Sequence, residues 1–150
     1  PTQGLGRRQR QMCIRDRLSS GIAAFEAKYF ARASEMLSPL ADMGNPEAQY
    51  RMAIMAQGGL GMVVNELMAY KYMKAAAEAG HAMAQHGLGF MYLEGECVEK
   101  NLPQAVEWFK KAAEQGLAGS QTTLGMLYAE GRGVEKDPEE AQRWYKKAGF

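Results

Sequence analysis

Cysteine and histidine are scarce in this chain, which has two of each in 150 residues: Cys13, Cys97, His81 and His86. Two distant thiols cannot build the disulfide framework of a small secreted domain. A zinc site needs about four ligands at short spacings, and these four residues form no such set, so neither a metal nor a cofactor is expected. No apolar run approaches the roughly 18 residues of a membrane helix, so membrane insertion is not expected. Residues 1–17 lack the apolar core that a signal peptide requires. Phosphate-cradling motifs are missing too: neither GxxxxGK[ST] nor GxGxxG precedes a helix, and "GGLG" at 58–61 and "GRG" at 131–133 read as turn glycines.

Strand formers are also few, whereas 11 Met and many Ala tilt the chain toward helix. Hydrophobic residues at 47% and charged ones at 23% are ordinary for a globular chain, and the length suffices for one domain with a real core. The net charge of +1 conceals an asymmetry: residues 1–17 hold five Arg against one Asp, and the remainder is acidic in balance. A basic arm on an acidic body ordinarily suggests nucleic acid as partner. Here, however, "RRQRQMCIRDR" resembles a peptide found at the ends of proteins translated from shotgun assemblies, where adapter bases are read as codons. Residues 1–17 are therefore assigned to a disordered or non-native tail, the native start is expected to be missing, and nucleic acid is not expected as a partner.

The body repeats itself. Residues 82–114, "AMAQHGLGFMYLEGECVEKNLPQAVEWFKKAAE", align without a gap on 118–150, "AGSQTTLGMLYAEGRGVEKDPEEAQRWYKKAGF", with 15 of 33 pairs identical. Residues 46–81 fit the same 36-residue frame with 11 of 36 identical to the second copy. Repeats are thus assigned to 46–81, 82–117 and 118–150, with a partial one at 18–45. Within the second copy Ala84, Leu88 and Met91, and after the loop Ala105, Trp108 and Ala112, recur at the spacing of an apolar helix face. Asn101 and Asp137 stand at N-cap positions with Gln104 and Glu140 three residues on, a capping box, and Asn45-Pro46 opens an earlier helix. Gly44, Gly80 and Gly116 follow helical runs, where a left-handed residue is expected. The spacing predicts helices over 18–28, 30–43, 46–57, 66–79, 82–93, 102–115, 118–129 and 138–148. One hairpin cannot bury both faces, so the fold class is all-α, an α-α hairpin solenoid. Small residues let the axes approach, and Met52, Leu88, Leu124, Tyr72, Trp108 and Trp144 fill the gaps. The frame would put the last copy's closing Gly at 152, so an uncapped apolar face is expected at its end.

The pattern "AQxxLGxxYxxGxGVxxD", then "AxxWxxKAA", then Gly, is similar to that of Sel1-like repeats, relatives of the tetratricopeptide repeat, and Gln121 to Asp137 and Ala141 to Ala148 fit it closely. The first copy departs: Ala56 replaces the Tyr, "GGLGMVVN" replaces the loop, and Tyr72 replaces the Trp, which puts that loop's geometry in question. The resemblance implies a right-handed superhelix and a non-enzymatic scaffold that binds a protein or peptide. A cysteine-rich branch of the family is linked to binding or hydrolysing β-lactams. That branch staples each hairpin with cysteines at the positions of Ala84 and Ala113. An enzyme of that type and a spacer or regulatory segment of a larger envelope protein are the alternatives.

By analogy with tetratricopeptide arrays, the first helix of each hairpin lines the concave face. The groove residues are then Tyr50, Ile54, Met83, His86, Phe90, Thr122 and Met126, with Glu47 and Gly119 at the position of Met83, one turn before Tyr50 and Thr122. This lining suits a peptide with apolar anchors. Equally, Ile54, Phe90 and Met126 read as ordinary packing between helices. His86 with Cys97 lacks the third, orienting group of a catalytic pair. Cys97 replaces a repeat glycine, which costs about 1 kcal/mol if the turn needs a positive φ.

Overall fold

The computed structural model describes residues 7–150, with side chains from Cys13 onward. Among the described residues eight helices follow one another: α1 (Arg7–Glu26), α2 (Phe30–Asp42), α3 (Pro46–Gly58), α4 (Glu66–Glu78), α5 (Ala82–Glu94), α6 (Leu102–Glu114), α7 (Ala118–Glu130) and α8 (Pro138–Lys147). No strand occurs among the described residues. Each helix packs on the next in chain order, and α1 also reaches α3. This is an α-α hairpin solenoid, in which α3, α5 and α7 are the first (A) helices of the repeats and α4, α6 and α8 the second (B) helices, with α2 the B helix of the partial repeat.

The caps show why the sequence breaks where it does. Asn45, Asn65, Asn101 and Asp137 each accept a hydrogen bond from the backbone N–H three residues on, at 3.0 to 3.2 Å. The capping boxes are half formed: Glu140 turns its carboxylate to Arg143 instead of reaching back to Asp137. At the other end of each B helix, Gly44, Gly80 and Gly116 take φ of 94° to 96° and close a Schellman-type turn. Helix α8 ends three residues before the frame does. Gly149, standing where the second copy has Ala113, takes the left-handed position with φ 105°, and Phe150 N–H bonds back to Tyr145 O. This closes the helix end, while Phe150 itself stays exposed.

Three core clusters run along the stack and share residues: Tyr72 and Met62 join the α1–α3 cluster to the α3–α5 cluster, and Tyr92 joins that to the α5–α8 cluster. Ala48, Ala69, Ala76, Ala84, Ala105 and Ala112 are fully buried, as are Leu88 and Leu124. Small residues set the spacing physically. A Cβ on Gly89 would stand 2.9 Å from the Phe109 ring, so only glycine admits that ring against α5.

The loops inside the hairpins are alike in all three repeats, including the first, whose geometry the sequence left in question. Gly59, Gly95 and Gly131 cap the A helices in the left-handed conformation. Two residues on, Gly61, Cys97 and Gly133 are left-handed again, with φ of 69°, 64° and 76°. "GGLGMVVN" is the same turn with an extra glycine before it and Met62 in place of Val98; Met62, Val98 and Val134 all pack on the core. Cys97 thus holds the strained conformation expected for it.

The partial repeat differs. Its loop has only three residues, Ala27 to Tyr29, and α1 starts at Arg7 instead of residue 18. Helix therefore covers residues 7–17, against the disorder expected there, while residues 1–6 lie outside the described part. The Arg, Gln and Met of this stretch are good helix formers. Arg17 also anchors it by donating to Met36 O at 3.1 Å and Glu35 O at 3.4 Å.

Candidate partner-binding face on the A helices

The seven candidate groove residues sit on α3, α5 and α7 at equivalent repeat positions, and their surroundings divide them. Met83, Phe90 and Met126 are exposed, at 41%, 37% and 40%. Tyr50, Ile54, His86 and Thr122 are half-buried. Tyr50 stacks on His81 with ring centroids 4.9 Å apart. Thr122 donates to Ala118 O within its own helix at 3.0 Å. His86 meets Phe90 and Phe109 edge-on at 4.9 and 5.5 Å, and the two phenyl rings meet each other at 5.0 Å.

Polarity changes along this face. Toward α1 it is a charged network: Arg51 bridges Glu47 at 2.8 Å and Glu26 at 3.3 Å, and its guanidinium lies 5.2 Å from the Phe25 centroid. His81 caps α5 by accepting Ala84 N–H at Nδ1, 3.1 Å away. That acceptor role puts the proton on Nε2, which donates to Glu47 Oε1 at 3.0 Å. Toward α7 the face is more apolar, and there His86 Nδ1 meets Ser120 Oγ at 2.6 Å. Ser120 is fully buried at the position of Ala48 and Ala84, so its hydroxyl needs a partner, and His86 supplies one. Burial lowers the His86 pKa below the usual imidazole value.

Cys97 lies elsewhere, in the α5–α6 loop against the core. Burial, Glu66 and Glu96 raise its thiol pKa. That is the reverse of what a nucleophilic thiolate requires. His86 bonds to Ser120 and packs on two phenyl rings, and no hydrogen bond joins it to Cys97 among the described residues. Among the described residues no three His, Cys, Asp or Glu cluster to hold a metal ion, and no helix is long and apolar enough to cross a membrane.

A role that the sequence reading missed belongs to the glutamines of the "AQ" pairs. Gln49, Gln85 and Gln121 are buried, and each donates through Nε2 to the carbonyl of Ala41, Ala77 or Ala113 at 3.1 to 3.2 Å. Each A helix thereby caps the C-terminus of the B helix before it. The signal was present as a polar residue kept at one frame position beside a buried alanine.

Helical hairpins in a 36-residue frame, a loop with two left-handed residues and glutamine staples between hairpins define an α-hairpin repeat protein. Sel1 repeat models match residues 46–81, 82–117 and 118–149, and the chain belongs to the Sel1 repeat family. A Sel1 repeat protein from Oxalobacter formigenes superposes with a TM-score of 0.83 at 37% identity, over 87% of this chain and 54% of that one. A protective antigen of uropathogenic Escherichia coli with an SLR fold gives 0.86 at 31% identity, over 93% and 31%. The chain thus spans about half of the first and about a third of the second. Helicobacter pylori cysteine-rich protein B, at 23% identity and a TM-score of 0.59, shares the fold alone. No curated protein sequence matches the chain. Sel1 repeat proteins generally serve as protein-interaction scaffolds.

Proposed function

We propose that this chain is a non-enzymatic interaction module that holds an extended or helical peptide with apolar anchors along the A helices, chiefly on α5 and α7. One observation carries the reading. Phe90 and Met126 occupy the same frame position one repeat apart, and both remain exposed beside Met83 while their equivalent Ile54 is half-covered. Large apolar side chains kept at solvent on one face favour partner contact over packing within the array. His86 and Phe109 back Phe90 from behind, and a rigid aromatic anchor held by its neighbours is what recognition of an apolar peptide uses.

The methionines give a direct test. A peptide selected from a display library on this chain is titrated into protein carrying labelled Met methyl groups. The Met83 and Met126 methyl resonances are expected to move and saturate, while those of buried Met52 and Met55 stay still. Shifts confined to Met43 and Met68 would remove the peptide from this face.

A further inference from the structure

The same frame position is filled in two repeats and empty in the third. In the second repeat the Lys111 ammonium lies 4.4 Å from the Trp108 ring centroid, and in the third Lys147 lies 4.5 Å from Trp144. Gln115 adds two bonds in the second repeat, donating through Nε2 to Gly80 O at 2.9 Å and to Gln85 Oε1 at 2.8 Å. In the first repeat the equivalents of Lys111 and Gln115 are Ala75 and Ala79. Between α2 and α4 there is accordingly an open cleft of about 450 Å³, with Tyr72, Asp42, Gln49 and Ala75 in its wall.

The groups left behind in this cleft all accept hydrogen bonds or attract a cation. Gln49 is 8% exposed and spends its Nε2 on Ala41 O. Its amide oxygen, whose counterpart on Gln85 receives Gln115, has no donor among the described residues. Tyr72 donates to Asp42 Oδ1 at 2.5 Å, and its pKa is pushed up to about 12, first by burial and then by Asp42, so the phenol keeps its proton. The other oxygen of Asp42 meets no donor among the described residues. Lys71 also lines the cleft. Leu67, exposed at 69%, adds apolar surface to the lining; the second repeat has Pro103 there.

We infer that the α2–α4 cleft is a second docking site, which receives an arginine side chain of a polypeptide partner over Tyr72, with its guanidinium between Asp42 and the Gln49 amide oxygen. The chain's own repeats define the occupant. Lys111 supplies the positive charge over the ring, and Gln115 supplies the planar N–H donors to the glutamine oxygen. A guanidinium combines both in one group. Its aliphatic stem then rests on Leu67.

The test uses N-acetyl-arginine N-methylamide, its lysine analogue and its neutral citrulline analogue, titrated into the full chain with the Gln49 and Tyr72 side-chain resonances followed. One cation–π contact with charge-assisted hydrogen bonds sustains a Kd on the order of millimolar for the arginine probe. Saturable shifts at Gln49 and Tyr72 are expected, with lysine weaker and citrulline at least tenfold weaker. Asp42→Asn, at an exposed site, is expected to weaken arginine about tenfold. Ala75→Lys with Ala79→Gln, which copies the second repeat, is expected to abolish binding while leaving the melting transition cooperative. Citrulline binding as tightly as arginine would overturn the inference in favour of a neutral ligand. Arginine shifts unchanged in the filled variant would overturn it in favour of diffuse surface binding. A dimer that the filled variant dissociates would give the cleft to a second copy of this chain.

Discussion

The α3–α4 and α5–α6 hairpins share one backbone and present different surfaces. Both open with a side-chain cap, turn through two left-handed residues and pin the preceding B helix with a buried glutamine. On the A helix, Tyr50 of the first is stacked under His81, whereas His86 of the second joins an aromatic cluster that leaves Phe90 exposed. On the B helix, the first leaves a cleft where the second is filled by Lys111 and Gln115. What recurs in the frame holds the hairpins together, and what departs from it makes the surfaces unlike. The residues of functional interest are therefore the departures.

The largest expected effect breaks the shared backbone. In Gly133→Ala a Cβ would meet Leu102 O at 2.6 Å in a left-handed conformation with φ 76°. Strain and overpacking together cost about 3 kcal/mol by denaturant unfolding. Next come the glutamines, which measure the difference between the hairpins. Gln85→Leu loses its bonds to Ala77 O and Gln115, whereas Gln49→Leu loses only Ala41 O. The first is expected to cost about 2 kcal/mol and the second about 1 kcal/mol. Equal costs would show that Gln115 adds nothing. Cys97→Gly acts the other way, releasing a side chain from φ 64°, for a gain of about 1 kcal/mol less the packing of its half-buried thiol. A lower melting temperature would contradict the strain.

The smallest effect is a pH dependence. Because burial lowers the His86 pKa, the unfolded chain takes up the proton first as pH falls through about 6.5, the ordinary imidazole value. Protons bound to the unfolded state exceed those on the native state in that window, so stability falls toward acid. His86→Gln is expected to flatten this slope while His81 remains in both proteins. An unchanged slope would assign it elsewhere.

Much of this architecture is legible in the sequence. The 36-residue identity, the Asn and Asp caps and the glycines after each B helix locate the helix boundaries of residues 46–150 to within a residue or so. Three features were not legible, each for a physical reason. Helix α1 begins at Arg7 because local propensity and the Arg17 contacts override a charge pattern that reads as a tail. The His86–Ser120 contact depends on a change from Ala to Ser that looks neutral at a small-residue position until its hydroxyl is seen to be buried. The α2–α4 cleft opens where Ala75 stands in place of the lysine of the other repeats, and the loss of a side chain carries no motif. Of the groove residues, spacing identified the shared face but not the split between exposed Met83, Phe90 and Met126 and the half-covered remainder.

The most direct measurement is the affinity of a peptide selected on this chain for three proteins: the unmodified chain, Phe90→Ala, and the cleft-filled Ala75→Lys. Truncating an exposed aromatic anchor costs about 2 kcal/mol, or about 30-fold in Kd. That loss is expected in Phe90→Ala, with Kd unchanged in Ala75→Lys. Unchanged affinity in Phe90→Ala would contradict the assignment of the A-helix face as the peptide-binding surface.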